Sequence, residues 1–116
     1  MDVLVLLSLL LNGVVLVPVT GGLVTSARWA EPAYGPPSPA RGILLAVYFA
    51  ILIASVALLL RPETHMVFAL LSVQIIYKLI SAITVGTLRN PVVARNLAIA
   101  AFHAFTCITL LVEGLG

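Results

Sequence analysis

Hydrophobic residues occur along this chain in four long runs, separated by short segments that carry the prolines, glycines and charges. A helix rises about 1.5 Å per residue, so a run of roughly 20 apolar residues crosses a hydrocarbon core of about 30 Å. The pattern therefore predicts an all-α fold, an integral membrane four-helix bundle formed by residues 1–116 as a single transmembrane domain. The predicted helices are residues 3–20, 39–60, 63–85 and 91–113.

Several predicted boundaries coincide with residues that start or stop helices. Ser38-Pro39 and Asn90-Pro91 each combine an N-cap side chain with a proline at the first helical position. Pro62 suits the start of the third helix in the same way. Gly86 suits its end, because glycine readily adopts the left-handed conformation that follows a helix.

The first run has two interpretations. Pro18 and then Gly21-Gly22 predict that a transmembrane helix ends near residue 20. The alternative is a secretory signal peptide, because residues 24–27 resemble a small-residue cleavage site, although no Lys or Arg precedes the run. The following segment, 31–39, is rich in proline and glycine, and it is predicted to form an irregular loop without a regular helix.

Composition agrees with the bilayer as the main partner. Hydrophobic residues make up 62% of the chain and charged residues 9%, which is too little charged surface for a water-soluble domain. The six Lys and Arg residues are scattered, so no nucleic-acid partner is predicted. The single cysteine, Cys107, excludes an intrachain disulfide.

The distribution of arginines predicts an orientation. Arg28, Arg41, Arg89 and Arg95 flank one side of the predicted bundle, and Arg61 alone lies on the other. Positive loops stay in the cytoplasm, so the proline-rich loop is predicted to be cytoplasmic. Both termini are then on the non-cytoplasmic side of what we expect to be a bacterial-type inner membrane.

The most informative polar residue is Lys78, which lies inside the third apolar run. Residue counts place Asn12, Tyr48 and His103 at a similar depth, and Gln74 lies one helical turn from Lys78. These five residues are predicted to form a polar layer near the middle of the membrane. An intramembrane lysine costs at least about 2.5 kcal/mol, so it normally has a partner, a cavity or a route to the interface.

Three explanations of Lys78 remain open from the sequence, because no acidic residue lies in the interior of a predicted helix. The ammonium could extend to the inner interface beside Tyr77. It could instead meet a carboxylate of a partner protein, or line a ligand site with the rest of the layer.

Small residues form one face on each of two predicted helices. In lipid, such faces permit close helix–helix approach, within the chain or with another chain. The predicted helix-packing residues are Ala46, Ala50, Ala54 and Ala57 on the second helix, and Ala94, Ala98, Ala101 and Ala104 on the fourth.

Candidate chemistry is sparse. The sequence contains no phosphate loop, nucleophile elbow, HExxH or CxxC motif, so no catalytic residue and no enzyme activity is predicted. His65 is too far from His103 to complete a bis-histidine haem site within one chain. Glu63 and His65 alone are too few ligands for a metal site. No cofactor is predicted.

Two functions follow from these observations. The first is an accessory or scaffold subunit that packs against other membrane subunits or itself. The alternative is a small-molecule carrier or a lipid- or quinone-binding protein that uses the polar layer. In size and layout the chain resembles the small multidrug resistance transporters, which depend on an acidic residue in the first helix. Here that helix offers only Ser8 and Asn12, which argues against proton-coupled cation export.

Overall fold

A computed structural model describes residues 3–114 and confirms the all-α fold class. Four of its helices are long and apolar enough to span a membrane, so the protein is a small integral membrane protein. A fifth, short helix lies in the loop after the first span. The helices are α1 (Val3–Thr25), α2 (Ala30–Tyr34), α3 (Pro39–Leu60), α4 (Thr64–Val85) and α5 (Pro91–Val112).

The first helix is longer than predicted. It passes through Pro18 and both glycines and ends at Thr25 rather than near residue 20. The Thr20 hydroxyl donates a hydrogen bond to the carbonyl of Leu16, within the turn that contains the proline. Interior prolines are tolerated in spanning helices because side chains and neighbouring helices re-satisfy the freed backbone groups.

The loop after α1 contains a helix that the sequence did not predict. Residues 30–34 form α2, so the expectation of irregular structure from residue 31 is wrong for its first part. Pro32 is compatible with this helix because the N–H groups of a first turn have no intrahelical partner. Asn90 Nδ2 donates to the carbonyl of Ala33 at 3.1 Å, which ties α2 to the start of α5.

The predicted caps are confirmed. Ser38 Oγ accepts from the Arg41 N–H, and Asn90 Oδ1 accepts from the Val92 N–H. Gly86 ends α4 with a positive φ of 79°. At the other end of α4, the structure corrects the start by one residue, because Glu63 is the N-cap rather than the first helical residue. Pro62 therefore precedes the cap and is not at the first helical position, as the sequence had suggested.

Arg41 connects the end of α1 to the start of α3. Its side chain is buried, and Nη1 donates to the carbonyl of Gly35 at 2.9 Å. Nη2 lies 3.5 Å from both the carbonyl of Leu23 and Ser26 Oγ. The last carbonyls of a helix have no intrahelical donor, and an arginine at that end satisfies them.

The distribution of polar and apolar side chains is that of a protein in lipid. Large apolar side chains such as Val14 and Ile83 are 72% and 80% exposed on the outside. Among residues 3–114, ten polar or charged residues are buried inside instead. With hydrocarbon as the solvent, buried polar groups must find partners within the bundle.

The four spanning helices associate as two pairs. The first pair is α1 with α3, and the second is α4 with α5. The backbones of the two pairs approach each other closely at few places, mainly between α1 and α5 and between α3 and α4. Side chains between the pairs therefore decide how the two halves of the bundle are joined.

The predicted alanine faces lie on the outside of this arrangement. Ala54 and Ala104 are half-buried, and the other six alanines are exposed. The faces that pack inside the bundle carry other residues, such as Ile51 and Ser55 on α3 and Ile99 on α5. The alanines do not form the interior packing of this chain, and their role in helix packing stays a prediction for contacts outside it.

Candidate functional site

A buried amide pair joins α1 to the other helix pair. Asn12 Nδ2 donates to Gln74 Oε1 at 2.9 Å, and Gln74 Nε2 donates to Asn12 Oδ1 at 3.1 Å. Asn12 Nδ2 also donates to Ser55 Oγ at 3.0 Å, and the Ser55 hydroxyl donates to the carbonyl of Ile51. The Asn12 amide thus has partners on α3 and α4, and these bonds hold three helices in register.

A second polar contact lies one turn further toward the start of α1. The hydroxyls of Ser8 and Thr106 are 2.8 Å apart and link α1 to α5. Both side chains are completely buried. Together with the Asn12–Gln74 pair, this contact joins the two helix pairs through side chains.

A cavity of about 430 Å³ occupies the space between the helix pairs nearer to α2. Its size is that of typical small-molecule sites in proteins, which range from about 300 to 1,000 Å³. Its walls come from α2, α3, α4 and α5, and most of the lining surface is apolar. The lining residues are Glu31, Pro32, Ala33, Tyr34, Gly35, Leu44, Tyr48, Tyr77, Ser81, Val85, Asn90, Val92, Val93 and Asn96.

Three tyrosines line this cavity. The rings of Tyr34 and Tyr48 meet edge to face, with centroids 6.0 Å apart and planes at 77°. Tyr77 lines the cavity from α4. Edge-to-face contact is a favoured aromatic geometry, and a phenol presents an apolar ring and a polar tip to a ligand.

Asn96 contributes a buried amide to the cavity wall. It is 6% exposed, and no hydrogen bond within residues 3–114 uses its side-chain amide. Because it lines the cavity, its two N–H donors and its carbonyl acceptor are available to an occupant there. A polar group placed on a mostly apolar cavity wall is the kind of group that orients a ligand, which makes Asn96 a candidate binding residue.

Lys78 lies beside the cavity wall. It is 4% exposed, and its Nζ is 5.8 Å from the ring centroid of its neighbour Tyr77. That distance is at the limit of a cation–π interaction. The one ion pair among the described residues joins Glu63 and His65 at the exposed start of α4, so Lys78 has no acidic partner in this part of the chain.

His103 is completely buried, and neither ring nitrogen has a hydrogen-bond partner in the described part of the chain. Lys78 is close enough to act on it electrostatically. The nearest ring is that of Phe102, with a centroid distance of 6.5 Å. His103 is not among the residues that line the cavity of about 430 Å³.

Arg95 is a second cation on the α2 side of this region. Its Nη2 donates to the hydroxyl of Tyr34 at 2.8 Å, which fixes that ring against α5. Arg95 and Lys78 thus each lie beside one tyrosine of the cavity wall, and the one acidic residue in the cavity lining, Glu31, is exposed.

The structure divides the predicted polar layer into separate groups. Asn12 and Gln74 bond to each other, Tyr48 lines the cavity, Lys78 lies over the ring of Tyr77, and His103 has no hydrogen-bond partner in the described chain. A count of residues from each helix end cannot predict these separate groups, because helix tilt and rotation decide which side chains meet.

Sequence reasoning missed four parts of the site. They are Asn96, the cavity role of Tyr34, Ser81, and Ser55 as a partner of Asn12. Asn96 could have been found, because an amide within an apolar helix is a functional candidate by default. Asn96 follows Arg95 in the sequence, and two adjacent polar residues near the start of an apolar run look like the polar end of a helix.

Comparisons of the chain with protein-family models, with curated proteins and with solved structures each find no match.

Proposed function

We propose that this protein binds a small amphipathic molecule of the membrane, lipid-like or quinone-like, in the cavity between α3 and the α4–α5 pair. The observation that carries the proposal is Asn96, a buried amide that lines the cavity and has no protein partner among the described residues. A head group with carbonyl, hydroxyl or carboxylate oxygens would use its free N–H groups.

The surroundings of the cavity favour an oxygen-rich or anionic head group. Arg95 donates to the hydroxyl of Tyr34, Lys78 lies over the ring of Tyr77, and no ion pair in the described chain involves Lys78. A positive potential in a low-dielectric site attracts electron-rich groups. The apolar part of the lining, which includes Leu44, would contact a ring or the first carbons of a tail.

Binding can be measured through the single tryptophan, Trp29, whose ring centroid is 6.5 Å from that of the cavity residue Tyr34. Decylubiquinone and dodecanoic acid serve as probes of the two head-group classes, titrated into the protein in mild detergent. We expect a saturable change in Trp29 fluorescence with one of them. In Asn96→Leu the Kd should rise roughly tenfold, the effect of losing one or two hydrogen bonds in an apolar site.

Two phenylalanine substitutions on α4 provide matched variants. Ser81→Phe fills the cavity and should abolish the saturable change. Thr84→Phe adds the same ring at an exposed position outside the cavity lining and should leave it intact. Equal binding by wild type and Ser81→Phe would show that the probes bind elsewhere, and the proposal would be wrong.

A second function, an accessory subunit or a self-associating bundle, is favoured by the outward alanine faces. Ala46, Ala50 and Ala57 are exposed on one face of α3, where a neighbouring helix could approach closely. Lys78 does not support this function through an ion pair with a partner. It is 4% exposed inside its own chain, so a carboxylate on another subunit has little access to it.

Alanine-to-leucine substitutions test this second function. Ala50→Leu should separate a complex extracted in mild detergent, because the larger side chain prevents close helix approach. Ala69→Leu makes the same change at an exposed site on α4, away from both alanine faces, and should leave the complex intact. If the wild-type protein and both variants are all extracted as monomers of the same size, association through this face is excluded.

A further inference from the structure

We propose that a second site, which adjoins the cavity at Tyr34, binds the phosphate of an anionic phospholipid at Arg95, in the groove between α1 and α5 beside Trp29. Two depressions of about 330 and 250 Å³ lie on this surface, and both are lined by Trp29 and Arg95. One of them continues along α1 past Val15 and Pro18. The groove therefore combines a cation, an indole ring and an apolar track.

The hydrogen bonds of Arg95 leave donors free for an anion. Nη2 donates to Tyr34, and Nε is buried, so the donors open to a lipid phosphate are those of Nη1, which no hydrogen bond within residues 3–114 uses. A guanidinium binds phosphate by charge-assisted hydrogen bonds and holds a fixed, planar geometry. The bond to Tyr34 fixes the side chain in place before a lipid arrives.

The position of the groove suits a lipid head group rather than a soluble ion. Arg95 is the fifth residue of α5, about 6 Å along the helix from its start. Trp29 is 46% exposed, and tryptophan is enriched at the head-group level of membranes. A phosphate at Arg95 would place an acyl chain against Val15, Pro18 and Val19, which are apolar residues of α1.

The charge of this region favours an anion. No acidic side chain lines either depression, and no ion pair in the described chain involves Arg95. The same end of the bundle carries Arg28 and Arg89, both exposed, which raise the local concentration of anionic lipid. Arg95 differs from them because it borders an apolar groove with an aromatic ring.

Native mass spectrometry of the protein from micelles with equal amounts of phosphatidylglycerol and phosphatidylcholine tests the site. We expect the wild-type protein to retain phosphatidylglycerol preferentially. In Arg95→Gln this preference should fall about tenfold, the effect of losing a charge-assisted hydrogen bond. Arg89→Gln removes the same charge from an exposed position and should have little effect. An equal loss in both variants would overturn the proposal.

Two further variants separate lipid binding from folding. Tyr34→Phe removes the partner of Nη2 but keeps the guanidinium, so the lipid preference should persist. Val15→Trp fills the groove and keeps Arg95, so the preference should fall even if Arg95→Gln does not yield a folded protein. An unchanged preference in Val15→Trp would contradict the site, as would full displacement of the lipid by millimolar inorganic phosphate, which would identify a soluble-anion site.

Discussion

At the scale of single residues, the polar side chains of this protein fall into those with partners and those without. The amides of Asn12 and Gln74 bond to each other and hold helices together. The two ring nitrogens of His103 are buried without a hydrogen-bond partner in the described chain, and the Asn96 amide lines the cavity. The first group explains the assembly of the bundle, and Asn96 indicates where a ligand would bind.

The reciprocal amide pair predicts strong coupling between its two members. Asn12→Leu and Gln74→Leu should each lower the free energy of unfolding in mixed micelles by about 2 kcal/mol, given two or three interhelical hydrogen bonds. The double variant should cost clearly less than the sum, because neither amide is then left without a partner.

Thr109→Val is the control for this cycle, since the Thr109 hydroxyl bonds only within its own helix, to Phe105. Its stability should match that of the wild type. Additive losses in the double variant would mean that the two amides do not interact in the membrane.

Glu63 predicts a dependence of stability on pH. The backbone N–H groups of Met66 and His65 hold the pKa of its carboxyl below the ordinary value of 4.5. A lowered pKa in the folded state means that the cap stabilises the protein at neutral pH. That contribution is lost as the pH falls from about 4.5 through the lowered pKa.

The melting temperature of the wild-type protein between pH 7 and pH 3 measures this effect. Glu63→Gln should be less stable than wild type at neutral pH and should show a smaller decrease on acidification. Glu31→Gln, at an exposed carboxylate that makes no side-chain hydrogen bond in the described chain, is the control. Parallel curves for wild type and Glu63→Gln would contradict the prediction.

At the scale of the helices, the end of α1 depends on tertiary contact. Pro18, Gly21 and Gly22 are residues that normally stop helices, yet α1 continues to Thr25. Here Gly22 lies directly under the Trp29 ring, and a methyl group at that position would overlap ring atoms. The absence of a side chain at Gly22 allows the ring to lie against the helix.

Two alanine substitutions in α1 should therefore have opposite effects. Gly22→Ala should displace the Trp29 ring, shift its fluorescence maximum and lower stability. Gly21→Ala meets no atom within 4 Å, so it should leave the fluorescence unchanged. It should also raise stability by up to about 1 kcal/mol, the difference in helix propensity between the two residues. Identical spectra for the two variants would show that Trp29 does not contact Gly22.

At the scale of the whole molecule, two helix pairs are joined by polar side chains in one half and enclose a cavity in the other. The Asn12–Gln74 and Ser8–Thr106 contacts link the pairs, and α2 lies over the cavity, held by Asn90 and Arg95. Motion of α2 would change access to the cavity without breaking the amide pair.

Four spans place the segment that contains α2 on the side opposite to residues 61–63, and the arginine distribution predicts that this segment is cytoplasmic. In a Cys107→Ala background, Pro36→Cys should react with a membrane-impermeant thiol reagent only after the cells are opened. Pro62→Cys should react in intact cells. Labelling of Pro36→Cys in intact cells would reverse the orientation.

The sequence alone determined the features that depend on local chemistry. Apolar run length defined four spanning helices, and Ser38, Asn90 and Gly86 marked their ends through bonds to neighbouring residues. Such interactions reach only a few residues along the chain, so a linear pattern contains them.

The tertiary structure decided which side chains meet. Asn12 and Gln74 are 62 residues apart in sequence, and only the rotation and tilt of their helices bring them together. The same rotations turned the alanine faces outward and left Asn96 at a cavity. A residue count gives depth in the membrane but not direction around a helix axis. The binding site depends on that direction, so it could not be predicted from the sequence.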